Sequence, residues 1–392
     1  MLTLRRLSAA AAVTTAAALT LAAGSAAARP IAHHRSPRHP VLHQRGLSGP
    51  GGAVFVQTDS LTGNAIVAYE RARNGTLTQA GTYATGGDGG QLSGSVVDHL
   101  ASQNSLVYDA EAGELFVVNA GSNTISVFDV NGDRLQRRQV IASGGSYPAS
   151  IAVYGDTVYV LNTLGGGTIQ GYRLNGGLLT PLAGSTRALG TTPDPASVFT
   201  TTPGDIAFSP DGSDLLVTTK GSTNAIDVFA LNRLGQPSAT PVVNSEPGAV
   251  PFALAFEGSD QVDVGEAGTN SIASFELRSN GTLQPLHTLA TGGAATCWIV
   301  ADGGVLFAGN AGSATESSAL VSHFGELVLT ATTATDPGTV DATPSPDGRY
   351  LYVQTGANGI VDEFAVGFAG TLHEIGSVTV PNAAGGQGIA SS

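Results

Sequence analysis

Leu115-Phe-Val-Val-Asn-Ala-Gly-Ser-Asn-Thr-Ile-Ser-Val-Phe128 decides the fold. An apolar run ends at Asn119, a Gly/Asn turn follows, and a second apolar run closes on an aromatic. The second run recurs as Asn64-Ala-Ile-Val-Ala-Tyr69, Thr168-Ile-Gln-Gly-Tyr172, Asn224-Ala-Ile-Asp-Val-Phe229 and Asn270-Ser-Ile-Ala-Ser-Phe275. Two looser copies read Leu320-Val-Ser-His-Phe324 and Ile360-Val-Asp-Glu-Phe364. The closing aromatics are 59, 44, 57, 46, 49 and 40 residues apart. A repeat near this length, made only of short strands, marks a β-propeller blade. Seven copies predict an all-β, seven-bladed β-propeller with four-stranded antiparallel blades.

The third copy shows the four strands, called a to d from the channel outward. They are predicted at Ala149–Tyr154, Thr157–Leu161, Thr168–Leu174 and Leu178–Leu182. Val, Ile, Tyr and Phe fill them, since branched and aromatic side chains pack well on a pleated surface. Ser209-Pro-Asp-Gly212 and Ser345-Pro-Asp-Gly348 serve as a–b turns, and Asn74-Gly75, Asn131-Gly132, Asn175-Gly176 and Asn280-Gly281 as c–d turns. The first copy has no strand a, because Ala53-Val-Phe-Val56 already reads as strand b. Gly386-Gln-Gly-Ile-Ala-Ser391 reads as a strand a without a blade. The C-terminus is therefore expected to close the ring as the innermost strand of blade one, which removes two sheet edges.

Residues 1–28 read as an export signal: Arg5 and Arg6, an uncharged Ala/Leu/Thr-rich run, then Ala26-Ala-Ala28. That apolar run is short for a bilayer, so no membrane span is expected after cleavage. Residues 29–50 hold four His, four Arg and no acid, and read as a disordered basic linker. The propeller domain is assigned to residues 51–392. All thirty acids fall there against eleven basic residues. This excludes nucleic acid as a partner, which needs clustered positive charge. Cys297 is the sole cysteine, so no intramolecular disulfide forms. The expected localisation is secreted.

The two long intervals place extra residues at about 84–104 and 183–202, each between strand d of one blade and strand a of the next. In a four-stranded blade, d–a links and b–c turns share a face, so both insertions are expected on one rim. Insertions gathered on one face of a repeat protein often mark its binding face.

The Ser-Pro-Asp-Gly turns, the 115–128 stretch and Arg349-Tyr-Leu-Tyr-Val353 resemble the lactonase-type seven-bladed propellers. That group includes phosphogluconolactonases, carboxymuconate cyclases and YVTN-repeat proteins. The resemblance covers residues 53–392 and implies lactone chemistry by His, Arg and acidic residues at the channel mouth. Where that family carries His-x-His, this chain has Tyr147-Pro-Ala-Ser150. Where it carries Pro-Arg-His, this chain has Pro203-Gly-Asp205. Its Asp before Leu-Gly is Asn162 here, and its Asn-Glu is Thr219-Lys220. The inherited catalytic set is replaced, and a fold alone does not carry function.

Aligned b–c turns place Thr58, Asn119, Asn162, Thr219, Glu266, Asn310 and Thr355 in a ring, with Asp59 and Lys220 one step outward. The strand-a column holds Gly388, Ser105, Ser150, Asp205, Ala253, Trp298 and Asp341. Lys220 is the only lysine; it is read either as a ligand contact or as a structural partner of Glu266, Asp59 or Asp205. His99 follows Asp98 and is the only histidine on either long link. His287, His323 and His373 fall in or near outer strands. The candidate ligand-binding set is His99, Lys220, Glu266, Asp59, Asp205, Asp341, Asn119, Asn162 and Asn310. No catalytic residue is assigned, and no metal or cofactor is expected. The function expected is an exported lactonase-like propeller acting as a binding or scaffold protein, with a small polar ligand or an exported protein at the channel face. The alternative is a lactone hydrolase or cycloisomerase with a rearranged site.

Overall fold

Strand b of blade one, Ala53–Gln57, is apolar without alternation because both its faces are covered. Val54 and Val56 pack with Tyr350 and Tyr352 of blade seven. Ala53 and Phe55 pack with Leu115, Val117 and Phe128 of blade two. Each blade thus presents two apolar faces to its neighbours, and the core is a ring of interfaces. Fully burying one such Val or Phe contributes roughly 1.5–3 kcal/mol.

The computed structural model describes residues 51–392, so the expected export signal and basic linker lie outside the described residues. Seven antiparallel sheets form the ring. Blade two holds Leu106–Asp109, Glu114–Asn119, Thr124–Asn131 and Arg134–Ala142 as strands a to d. In blade three, strand d is interrupted: Leu178–Pro181 and Arg187–Ala188 both pair with strand c. Among the described residues the one α-helical segment is a single turn, Val198–Thr201, in the second long link.

Blade one begins at its b strand, and Ile389–Ser391 supplies strand a. Val54, Phe55 and Val56 lie opposite Ser391, Ala390 and Ile389. The last residues of the chain therefore seal the ring, as expected.

One repeat copy is out of register with its expectation. In blade six, strand c is Thr315–Val321, and Phe324 lies beyond it, 82% exposed in the c–d turn. Just after the strand-c bulge, where blade five has Phe275, blade six has fully buried Ala319. A small residue holds the aromatic's place, and an unrelated aromatic five residues later mimics it.

Candidate functional site

Lys220 sits in the b–c turn of blade four in the left-handed region, with φ +46°. Its side chain is fully buried. The Nζ donates to the carbonyl of Ala101 and to that of Phe199, the latter at 2.7 Å, and lies 5.0 Å from the centre of the Phe252 ring. Ala101 belongs to the first long link and Phe199 to the second. The two insertions do share the face of the b–c turns, and this lysine ties them together.

The first link does not stand around the mouth; it fills it. Asp98 Oδ1 accepts the N–H groups of Leu100 and Ala101, which turns the chain inward. The Trp298 indole N–H then donates to the Ser102 carbonyl, its ring edge-on to Phe252 at 4.9 Å. Ser102 Oγ donates to the Ala149 carbonyl and Gln387 Oε1. Gln103 reaches across to blade six, donating to the Ile299 carbonyl and accepting the Ile299 N–H, both at 3.0 Å. Asn104 donates to Asp205 Oδ1. Side chains and backbone of several blades thus grip one segment, 98–104, as a plug. The b–c turns accommodate the link because they carry glycine: a β-carbon on Gly356 would lie 1.7 Å from the Val97 carbonyl oxygen.

Each expected ligand contact has a definite place around this plug. Asp205 bonds to Ser150 Oγ, Asn104 and the Leu254 N–H, and so joins three blades to the plug. Asp59 accepts from the Gln387 N–H and from the Gln57 side chain. Asp341 accepts the Ala342 N–H. Burial pushes their carboxyls up, to about 6 for Asp205, about 8 for Asp59 and about 7 for Asp341, against the hydrogen bonds that favour the charged form. Burial also lowers the Lys220 pKa, with the Asp98 charge opposing, and raises that of Asp98.

Glu266 does not pair with Lys220. It accepts from Thr269 Oγ1 and Ser271 Oγ within its own turn. The structural pairing of Lys220 with Glu266, Asp59 or Asp205 is corrected: its donors go to backbone carbonyls, because the link residues reach it first. Asn119 and Asn310 end their b strands and Asn162 lies two residues before the end of its own, all fully buried. Asn119 donates to Thr124 and Ser126, Asn162 to the Ser143 carbonyl, and Asn310 to Ser317. Glycines of the preceding links, Gly87, Gly145 and Gly293, lie against these amides, where a β-carbon would fall within 2.7 Å. The ring of b–c positions therefore forms, and it forms beneath the surface.

His99 is half-buried. Its N–H donates to the Gly385 carbonyl and its carbonyl accepts from the Tyr147 hydroxyl. Its Nδ1 has no partner among the described residues, and burial lowers its pKa. His287 and His373 lie on outer d strands, far from the plug in the order of strands. Cys297 is buried, its thiol pushed up to about 12. Among the described residues, no three His, Cys, Asp or Glu side chains gather as a metal site requires.

The sequence reading missed Asp98 as a turn former, Gln103 as the cross-channel clamp and Gln387 as its anchor. The polar run Ser102-Gln-Asn-Ser105 ahead of strand a was the one signal for it.

Behind the plug the channel is open. A cavity of about 430 Å³ runs from Gln103, Asn104 and Asp341 at its floor to the far ends of the a strands at Tyr108, Phe256, Ala301 and Pro344. Exposure rises along that path: Ile299 is buried, Val300 and Ala301 partly exposed. The channel is blind at the b–c face and opens at the a–b face.

Among solved structures, a candidate 6-phosphogluconolactonase from Bacteroides uniformis superposes with a TM-score of 0.71 at 18% identity, over 88% of this chain and 100% of that one. The fold is that of the lactonase-type propellers. A periplasmic gluconolactonase from Pseudomonas aeruginosa gives 0.69 at 18% identity, over 87% and 98%. Virginiamycin B lyase from Staphylococcus aureus gives 0.52 at 13% identity, over 74% and 88%. No family model matches the chain, and no curated protein matches it. Within this lactonase-type fold the mouth residues hold the plug in place, and their polar atoms serve internal hydrogen bonds.

Proposed function

We propose that this chain is an exported, lactonase-like propeller that acts as a binding or scaffold protein and performs no lactone chemistry. One observation carries the reading: residues 98–104 occupy the channel mouth, and Lys220 spends its hydrogen bonds on the carbonyls of Ala101 and Phe199. A group that must polarise a lactone carbonyl needs a free donor and a space about 3 Å away for the reacting atom. The leader-like residues 1–28 support export. The test is a panel of sugar lactones and muconolactones. No turnover above the uncatalysed rate is expected. Turnover that Lys220→Ala abolishes while the fold stays intact overturns the reading.

A hydrolase reading rests on one group. His99 is half-buried on the plugged face, its buried Nδ1 has no partner among the described residues, and burial lowers its pKa, which favours the neutral imidazole that a general base requires. Turnover lost in His99→Gln, with Lys220→Ala unaffected, is the result that favours it.

A further inference from the structure

The open end of the channel has a charge pattern of its own. Every a–b turn begins where a lumen-lining strand a leaves the channel. Tyr108, Phe256 and Ala301 line the cavity, and the next residues are Asp109, Glu257 and Asp302. Glu111, Asp211 and Asp260 lie further along such turns. None of these six acids is in an ion pair among the described residues. Arg349 is the only basic residue in any a–b turn, and its guanidinium lies over the Tyr350 ring. Two further a–b acids are paired, Asp156 with Arg173 and Asp347 with Arg71, so the rim carries a net excess of negative charge, which concentrates cations at its entrance.

The floor continues the pattern. Asp341 lines the cavity and is 96% buried, being 4% exposed. Among the described residues only the Ala342 N–H meets hydrogen-bond geometry with its carboxyl group. The Gln387 side chain lies beside that carboxyl and helps to hold its charged form, though its Nε2 falls outside hydrogen-bond geometry. Asp341 therefore faces a shaft whose lining mixes apolar side chains, among them Leu106, Ala255 and Ile299, with polar groups such as Gln103, Asn104 and Thr343. The volume falls in the range of small-molecule sites. Asp341 is the one acid among the residues lining the cavity, and among the described residues no metal-holding group gathers there, so the floor suits an organic cation.

We infer that the blind channel is a binding site, entered from the a–b face, for a small organic cation whose ammonium or guanidinium head meets Asp341 and whose compact body fills the shaft. This deepens the binding-protein reading and rests on it. The plugged mouth supplies the end wall, the a strands supply a sleeve of mixed polar and apolar surface, and the rim acids attract the charge. A charge-assisted hydrogen bond to a carboxylate is about twice as strong as a neutral one, so the head group sets the selectivity.

The test is calorimetric titration of the full chain with four molecules built on a short alkyl chain: n-butylammonium, butylguanidinium, n-butanol and butyrate. Binding of the two cations is expected, with n-butanol weaker by about tenfold or more and butyrate not binding. Asp341→Asn, which keeps the shape and the acceptor oxygen, is expected to weaken the cations by about tenfold and leave n-butanol unchanged. Ala301→Trp narrows the entrance without touching the floor and is expected to abolish binding of the two cations and of n-butanol. Should Asp341→Asn fail to fold, Ala301→Trp and the matched series still decide the matter. Equal binding of n-butanol and n-butylammonium, cation binding indifferent to both substitutions, or no cation binding at all overturns the inference. Lactone turnover is scored in the same preparation. Turnover sinks the binding-protein reading, whereas no turnover together with no cation binding sinks this inference alone.

Discussion

The buried ammonium of Lys220 bonds to the carbonyl of Ala101, a residue 119 positions earlier in the chain, and both residues hold left-handed backbone, with φ +46° and +49°. Strain of this kind persists only where surrounding contacts fix it. Here the contact is between a b–c turn and the plug. Lys220→Ala leaves the Ala101 carbonyl unpaired in a buried site, at a cost of roughly 1–3 kcal/mol, and frees the part-buried Phe199 carbonyl of its donor. Faster amide exchange is expected at 98–104 and 198–204, with strands b and c of every blade keeping their protection. Unchanged exchange in both links contradicts the tie.

Gly356 tests the plug from the other side. Its α-carbon sits under the Val97 carbonyl, and a β-carbon there has 1.7 Å to that oxygen. Gly356→Ala is expected to lift the link and destabilise the protein by about 1–3 kcal/mol, the scale of an overpacked contact. Limited proteolysis is expected to cut within residues 84–104 first. A melting temperature and cleavage pattern equal to those of the parent contradict the close approach.

Deleting residues 385–392 removes more than a strand. Ile389–Ser391 pairs with Val54–Val56, Gly385 accepts the His99 N–H, and Gln387 accepts from Ser102. Ring closure and plug anchorage go together. A loss of several kcal/mol is expected, since an edge opens and apolar area is exposed. An unchanged melting temperature after the deletion refutes the role of the C-terminus.

The buried acids set the pH response. Asp59, Asp341 and Asp205 have carboxyls raised to about 8, about 7 and about 6. A raised carboxyl keeps its proton in the folded state at a pH where the unfolded chain has lost it. The stability it contributes is full below about pH 4 and is lost as pH rises through the folded values. Lys220, lowered toward neutrality, acts in the other sense: its contribution is full in the alkaline range and already lost near neutrality. Between about pH 5 and about pH 8 the carboxyls dominate, so the thermal midpoint is expected to fall across that window. Asp59→Asn keeps an acceptor for the Gln387 N–H and cannot ionise, so it is expected to flatten the fall. A midpoint that rises from pH 5 to pH 8 contradicts the burial of these groups.

Cys297 reports on opening. Its thiol is buried and held far from the reactive thiolate form, with a pKa of about 12. Labelling by a thiol reagent is expected only as fast as the protein opens. Rapid stoichiometric labelling of the native state contradicts its burial.

The chain itself determined the propeller. Period, turn residues and unbroken apolar strands are local signals, and each blade repeats them, so one missed register in blade six left the fold intact. Ring closure was also legible, because a lone strand a at residues 386–391 has one vacant place to fill. Strand parity put both long links on the face of Lys220. Tertiary structure alone decided what those links do there. Whether a surface insertion stands open or folds inward depends on contacts across the ring, such as Gln103 with Ile299 and Ser102 with Gln387, between residues 196 and 285 positions apart. No local pattern encodes such a meeting. Sequence could place Lys220, Asp59 and Asp205 at the mouth; only the packed ring could show that the mouth is closed, and that the channel opens on the face where the a–b turns gather their acids.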